Sequence, residues 1–233
     1  MTTKESSVSD VAPAQLKMSY EEFLQWADED IHAEWVDGEV IISMPPKNTH
    51  QTMLAFLHQL LSLFVQLFNL GKVGIAPFEV KLGAEGPSRE PDIFFIAQEN
   101  MHRLTEERVM GPPDLIVEII SPDSIYCDRQ DKFREYCQAG VREYWIIDPR
   151  PGKQRADFYY LDPQGQYQLV ATEDNERVES RVLPGFWLHP AWLWQAETLN
   201  AMLILFEKMA NIPTEQVQQI QQMLRAGLTK AKE

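Results

Sequence analysis

The spacing of apolar and polar positions changes period several times along the chain, and each change marks a different element. Ser19 precedes "YEEFLQW", with Glu22 three residues on, the N-cap and capping box of a short helix. In "AEWVDGEVIISMPP" the period shortens to that of strands, and Asp37-Gly38 between the two halves is a strong hairpin signal. "THQTMLAFLHQLLSLFVQLFN", from Thr49 to Asn69, is a long apolar-rich helix suited to packing in a core, which Gly71 is placed to end. "VGIAPFEVKLG", "EPDIFFIA" and "PDLIVEII" follow as strands punctuated by Gly and Pro, with Glu79 and Lys81 of the first expected on an exposed face. A helix from about Ser124 to Ala139 closes at Gly140 and leads into the strand "REYWIIDP". "RADFYYLD" and "GQYQLVAT" are two more strands, astride the turn Asp162-Pro163-Gln164-Gly165.

From Pro190 the chain returns to helix and ends in "PTEQVQQIQQMLRAGLTKAKE", polar with a stripe of Val217, Ile220 and Leu224 that suits docking on the body or on a second copy. The order predicts an α/β (α+β) domain around one central mixed sheet flanked by helices, with an N-terminal hairpin, a C-terminal helix and no internal repeat. Residues 1–18 are expected to be a disordered leader, 19–207 a single domain and 208–233 a helical extension. Apolar residues fall in short segments, none an uninterrupted membrane-spanning run, and the N-terminus lacks the pattern of a secretory signal. Cys127 and Cys137 share one predicted helix at a spacing that suits neither zinc nor a disulfide framework, and a cytoplasmic protein is expected.

Charge narrows the choice of partner. With 21 basic against 35 acidic side chains the net is -14, which opposes non-specific attraction to a polyanion. The basic residues are densest around Arg129, Lys132, Arg134, Arg142, Arg150, Lys153 and Arg155, a grouping that a nucleic-acid surface or a solvated helix face explains equally well.

Two apolar strands each carry one acidic residue: Asp92 in "EPDIFFI" and Glu118 in "LIVEII". An ionised carboxylate inside such a strand costs several kcal/mol unless it is paired, bound to metal or aimed into a cleft. On neighbouring strands the two would converge, and two carboxylates with a backbone carbonyl are enough for Mg²⁺, which keeps several waters. Each could instead pair with a basic side chain or cap a loop.

"EPDIFFI", "DLIVEIISPDS" and "DRQDKFREYCQAGVREYWIIDP" together resemble the Uma-type putative endonuclease family, a branch of the PD-(D/E)XK restriction-endonuclease-like superfamily, over about Tyr20 to Trp194. The resemblance implies a restriction-endonuclease-like core and a metal-dependent endonuclease acting on DNA. Its Mg²⁺ or Mn²⁺ would be held by Asp92, Glu118 and the carbonyl of Ile119, and a lysine would assist the attacking water. Two residues after Glu118, where the superfamily pattern has that lysine, this chain has Ile120. In the Uma-type branch the cation moves to the following helix, where Lys132 matches it.

At about 100° per residue, Ile125, Arg129, Lys132 and Tyr136 share one stripe, so Lys132 is expected to face the body with Ile125 and Tyr136. The alternative is an exposed pair with Asp128 one turn earlier. Glu34 in "AEWVDG" matches an acidic position of the family pattern and could hold a second metal or orient a water. His50 could donate to phosphate from the start of the long helix, and Tyr136 could hydrogen-bond near the site. An inactive nuclease-fold module that binds protein or nucleic acid is the rival reading, since fold does not fix function. A homodimer through the C-terminal helix is left open.

Overall fold

The computed structural model describes residues 16–27, 31–42 and 44–230 of the chain. The leader expected at 1–18 lies outside the described residues as far as residue 15, and Leu16–Lys17 is already strand β1. Helix α1, Tyr20–Trp26, carries the expected capping box: the Ser19 hydroxyl accepts from the Glu22 amide, and the Glu22 carboxylate accepts from the Ser19 amide. The hairpin also forms where expected, β2 (Ala33–Val36) against β3 (Glu39–Ile42). Asp37 and Gly38 between them have φ of 49° and 85°, the left-handed pair that a two-residue turn of this type requires.

Helix α2 spans Asn48–Phe68. It ends at Asn69, whose φ of 52° supplies the left-handed cap, two residues before the glycine expected to do so. Gly71 instead opens the next strand with φ of 144°, where an added Cβ would lie 2.0 Å from the Ile96 carbonyl oxygen, so only glycine fits. The length of α2 and its hydropathy of 1.3 would suit a membrane span. Here, though, one side of it, Leu57, Leu60, Leu61 and Phe64 among others, is buried against a sheet in the main core.

The strands that follow are β4 (Gly71–Ile75), β5 (Glu79–Lys81), β6 (Ser88–Arg89), β7 (Ile93–Ala97), β8 (Arg108–Met110), β9 (Leu115–Ile119), β10 (Glu143–Asp148), β11 (Arg155–Leu161) and β12 (Tyr167–Thr172). They divide between two six-stranded sheets where one was expected. The larger runs β12-β11-β10-β9-β7-β4, and the smaller, built on the hairpin, runs β1-β3-β2-β6-β5-β8. The larger sheet is mixed: β9 and β10 are parallel, joined by a helical crossover, and its other neighbours are antiparallel.

Both faces of β9 are covered, which is why "LIVEII" reads as an unbroken apolar run. Leu115, Val117 and Ile119 face α2, whereas Ile116 and the following Ile120 face a second core with Tyr136, Tyr144 and Ile146. That second core is closed by helix α3 (Lys132–Ala139), entered through a π-helical turn, Cys127–Asp131. At the C-terminus, Ala201, Ile204 and Leu205 join the main core, and Thr214–Lys230 is helical. Of the stripe expected to dock, Val217 is buried and Ile220 and Leu224 are exposed.

Candidate active site

Glu118 belongs to the even-numbered positions of β9 and so points toward α3 with Ile116 and Ile120, and it is only 2% exposed. Ile93 of β7 pairs antiparallel with Val117. Continuing that register by one residue sets Asp92, just before β7, opposite Glu118. The Ile119 amide donates to Asp92 Oδ2 at 2.7 Å, locking the carboxylate to the neighbouring strand. His50, in the first turn of α2, places Nε2 3.1 Å from Oδ1 and 3.2 Å from Oδ2 of Asp92. Burial pulls the His50 imidazolium down, but the Asp92 carboxylate outweighs it and holds the ring above its ordinary range.

The cation arrives from the helix. Lys132 is buried, and its Nζ lies 3.0 Å from Glu118 Oε1, 3.3 Å from Glu34 Oε1 and 3.5 Å from Asp128 Oδ1. Tyr136, one turn further on, donates its hydroxyl to the same Glu118 Oε1 at 2.7 Å. The π turn changes the stripe expected of a regular helix. Asp128 turns inward beside Lys132, and Arg129 leaves the stripe to pair with Asp157. Tyr144 fixes the turn by donating its hydroxyl to the Asp128 carbonyl at 2.9 Å.

Glu34 comes from the other sheet. As a hairpin glutamate it would ordinarily be solvated, yet it is buried with both oxygens engaged: Oε2 accepts from Arg89 Nη1 at 2.8 Å, and Oε1 accepts from the Glu90 amide at 3.0 Å besides meeting Lys132. Arg89 is itself buried and forks onto both oxygens of Glu135 at 2.7 Å each. A continuous chain of charge, Glu135 to Arg89 to Glu34 to Lys132 to Glu118, therefore ties the smaller sheet to α3 and to β9.

The balance in this cluster is acidic. Burial pushes the Glu118 carboxyl up to about 8; Lys132 opposes the rise, and Asp128, Asp92 and Glu34 reinforce it. Asp128 is also raised, first by burial. Glu34 goes the other way, because Lys132 and Arg89 together outweigh its burial. The same carboxylates hold Lys132 protonated despite its burial.

A carboxyl raised in the folded state binds more protons there than in the unfolded chain. Its contribution to stability is complete below the unfolded value of 4.5 and is lost as pH rises toward about 8. Urea unfolding without metal should show Glu118→Gln gaining on the wild type steadily over that window and levelling off above it. A difference independent of pH would mean that Glu118 is ionised throughout.

Of the residues singled out from sequence, the fold gathers Glu34, Glu118, Lys132 and Tyr136 into one hydrogen-bonded group and places Asp92 and His50 beside it. The arginines of the basic grouping are paired with aspartates, while Arg134, Arg142, Lys153 and Arg155 stay exposed. Arg129 and Arg155 pair with Asp157, Arg134 with Asp131, Arg142 with Asp114 and Arg150 with Asp148. Lys81 is buried rather than exposed, with Nζ 3.8 Å above the Tyr20 ring and 4.6 Å above that of Trp35. Glu79 takes the Tyr20 hydroxyl, Ser88 and Arg108.

Arg89 and Glu135 join the cluster without having stood out in the sequence, and Asp128, expected only as an exposed partner of Lys132, pairs with it in the buried cluster. The charged run "SRE" immediately before Pro91-Asp92 was the available signal for Arg89.

The residues present suit a hard divalent cation. Carboxylate oxygens dominate the cluster, Glu118 carries a penalty that a cation would relieve, and the buried Asp128 Oδ1 has no hydrogen-bond partner among the described residues. Among those residues, no group of three or more His, Cys, Asp or Glu side chains forms a ready-made ligand array. A metal here would thus rest on two carboxylates, with its other positions left to backbone, water and substrate.

Comparison with known proteins places this geometry in context. The family model described as "Uma2: Putative restriction endonuclease" matches residues 20–191. The uncharacterized protein slr1290 of Synechocystis sp. is 22% identical over 166 residues, covering 70% of this chain and 84% of the relative. The crystal structure of a putative nuclease belonging to DUF820 from Anabaena variabilis superposes with a TM-score of 0.62 at 19% identity, over 79% of this chain and 99% of that one. At that identity the likeness shows a shared fold.

Proposed function

We propose, from the premise that this chain belongs to the Uma2 putative restriction endonuclease family, that it is a metal-dependent endonuclease that hydrolyses phosphodiester bonds of DNA. The observation that carries the reading is the convergence of Asp92, Glu118 and Lys132 from three separate elements. Asp92 is held at the edge of β7 by the Ile119 amide, Glu118 lies opposite it on β9, and Lys132 reaches Glu118 from α3.

Asp92 and Glu118 would hold Mg²⁺ or Mn²⁺ together with the Ile119 carbonyl, and the bound ion would supply charge stabilisation at the phosphate and a more acidic water. Both hydrogen bonds to Glu118, from Lys132 and from Tyr136, land on Oε1. Its other oxygen is the one able to face a metal. Lys132, which matches the cation that the Uma-type pattern carries on the helix, would orient the attacking water and offset charge on the phosphorane. Glu34 sets the position of Lys132, because its own oxygens are already committed to Arg89 and to the Glu90 amide. His50 steadies Asp92 through Nε2, and the same carboxylate raises the pKa of its imidazole.

The rival reading, an inactive module that kept the fold, draws on the paired arginines and the net charge of -14. Calorimetric titration with MgCl₂ separates the two. Wild type should bind the ion weakly, since most ligand positions are water, and Asp92→Ala should lose at least about tenfold in affinity. Identical isotherms for the two proteins would remove Asp92 from the site.

A further inference from the structure

Asp128 has no part in the mechanism above, yet the fold holds it with some care. Its side chain is 1% exposed and its Oδ1 has no hydrogen-bond partner among the described residues. A π turn presents it to the cluster, fixed from behind by the Tyr144 hydroxyl on its carbonyl. The nearest cation is Lys132 Nζ at 3.5 Å, beyond ordinary hydrogen-bond length, while the same nitrogen sits 3.0 Å from Glu118 Oε1. The lysine thus has a close partner in Glu118 and, one helical turn away, a looser one in Asp128.

We propose that Asp128 is a positioning residue that receives the Lys132 ammonium when a divalent cation takes Glu118. This inference rests on the metal-dependent reading. A cation on Glu118 repels the ammonium that now shares that carboxylate. With Glu34 as the pivot, Lys132 closes on Asp128 Oδ1 by a movement of roughly 0.7 Å, which brings the pair to the usual charge-assisted length. Lys132 stays charged and beside the metal, clear of its ligand. An asparagine at 128 would offer a weaker seat, so Lys132 would compete harder for Glu118 and metal would bind less tightly.

The test is a double-mutant cycle read by calorimetric MgCl₂ titration of wild type, Asp128→Asn, Lys132→Met and the double variant, with circular dichroism as the check on folding. Asp128→Asn should weaken Mg²⁺ binding about tenfold in the wild-type background and less than about twofold when Lys132 is already Met. Equal losses in both backgrounds would overturn the proposal, because Asp128 would then act on the metal directly. If the Lys132→Met proteins do not fold, a crystal structure of the wild type soaked in MnCl₂ decides. Lys132 Nζ should lie within about 3 Å of Asp128 Oδ1 and away from Glu118; a lysine still on Glu118 beside a bound ion overturns the inference alone. Wild type that binds no ion at Asp92 and Glu118 overturns the nuclease reading and this inference with it.

Discussion

Replacing Lys132 by methionine should destabilise the metal-free protein by about 3 to 5 kcal/mol at pH 8, the range found when one partner of a buried ion pair is removed. The expectation follows from the company the ammonium keeps. Glu118, Glu34 and Asp128 all lie within 3.5 Å of it, and all are buried. Without it these carboxylates face one another with Arg89 as the nearest compensation, and that guanidinium is already shared with Glu135.

The folded variant can relieve the strain only by taking up protons. It then binds more protons than its unfolded chain, so its stability falls as pH rises. Wild type also loses stability over this range as Glu118 gives up its proton, but the variant, with Lys132 no longer holding Glu34 and Asp128 down, loses more, so the gap should be wider at pH 8 than at pH 6. Urea unfolding at both values checks this, and a loss below about 1 kcal/mol at each would mean that Lys132 forms no more than an exposed pair. Cleavage should fall by about 10² to 10³ in the same variant, the usual cost of one preorganised charge at a reacting centre.

Glu118→Gln should remove cleavage at least as completely, by about 10³ or more, while moving stability the opposite way. The amide keeps the shape and can still accept from Tyr136 and Lys132, but it carries no charge for a divalent ion. It also lifts the burial penalty that raises this carboxyl to about 8. A metal-free variant as stable as wild type or more so at pH 8, and inactive, is the signature of a side chain kept for chemistry against the interest of folding. Loss of both stability and activity would instead make Glu118 a structural partner of Lys132.

Much of this was legible in the sequence because local signals agreed with the fold. The Ser19 capping box, the Asp37-Gly38 hairpin and the apolar run around Glu118 depend on residues within a few positions of one another. A lone acid in a strand buried on both faces is conspicuous, and the helical period already turned Lys132 toward it. Contacts made at long range were hidden. The pairing of β2 with β6, which brings Glu34 to Lys132, spans some fifty residues and makes a second sheet of strands that in sequence look like edges of one.

The π turn was also hidden. One extra residue in the turn rotates Asp128 into the cluster and Arg129 out of it, and no hydrophobic period encodes that. Lys81 reads as a solvated strand residue until Tyr20 and Trp35, far back in the chain, are seen to enclose it. The pairing of the basic grouping was hidden as well, because only the fold shows which of the interleaved aspartates each arginine meets.

The central claim, that the convergence of Asp92, Glu118 and Lys132 is a metal-dependent nuclease site, is tested most directly by incubating wild type and Glu118→Gln with supercoiled plasmid in MgCl₂ or MnCl₂ and, separately, in EDTA. Conversion to nicked or linear DNA by the wild type with either metal, and by neither protein in EDTA nor by the variant, is the predicted result. Plasmid left intact by a folded wild type in both metals, or cut equally by wild type and Glu118→Gln, would contradict it.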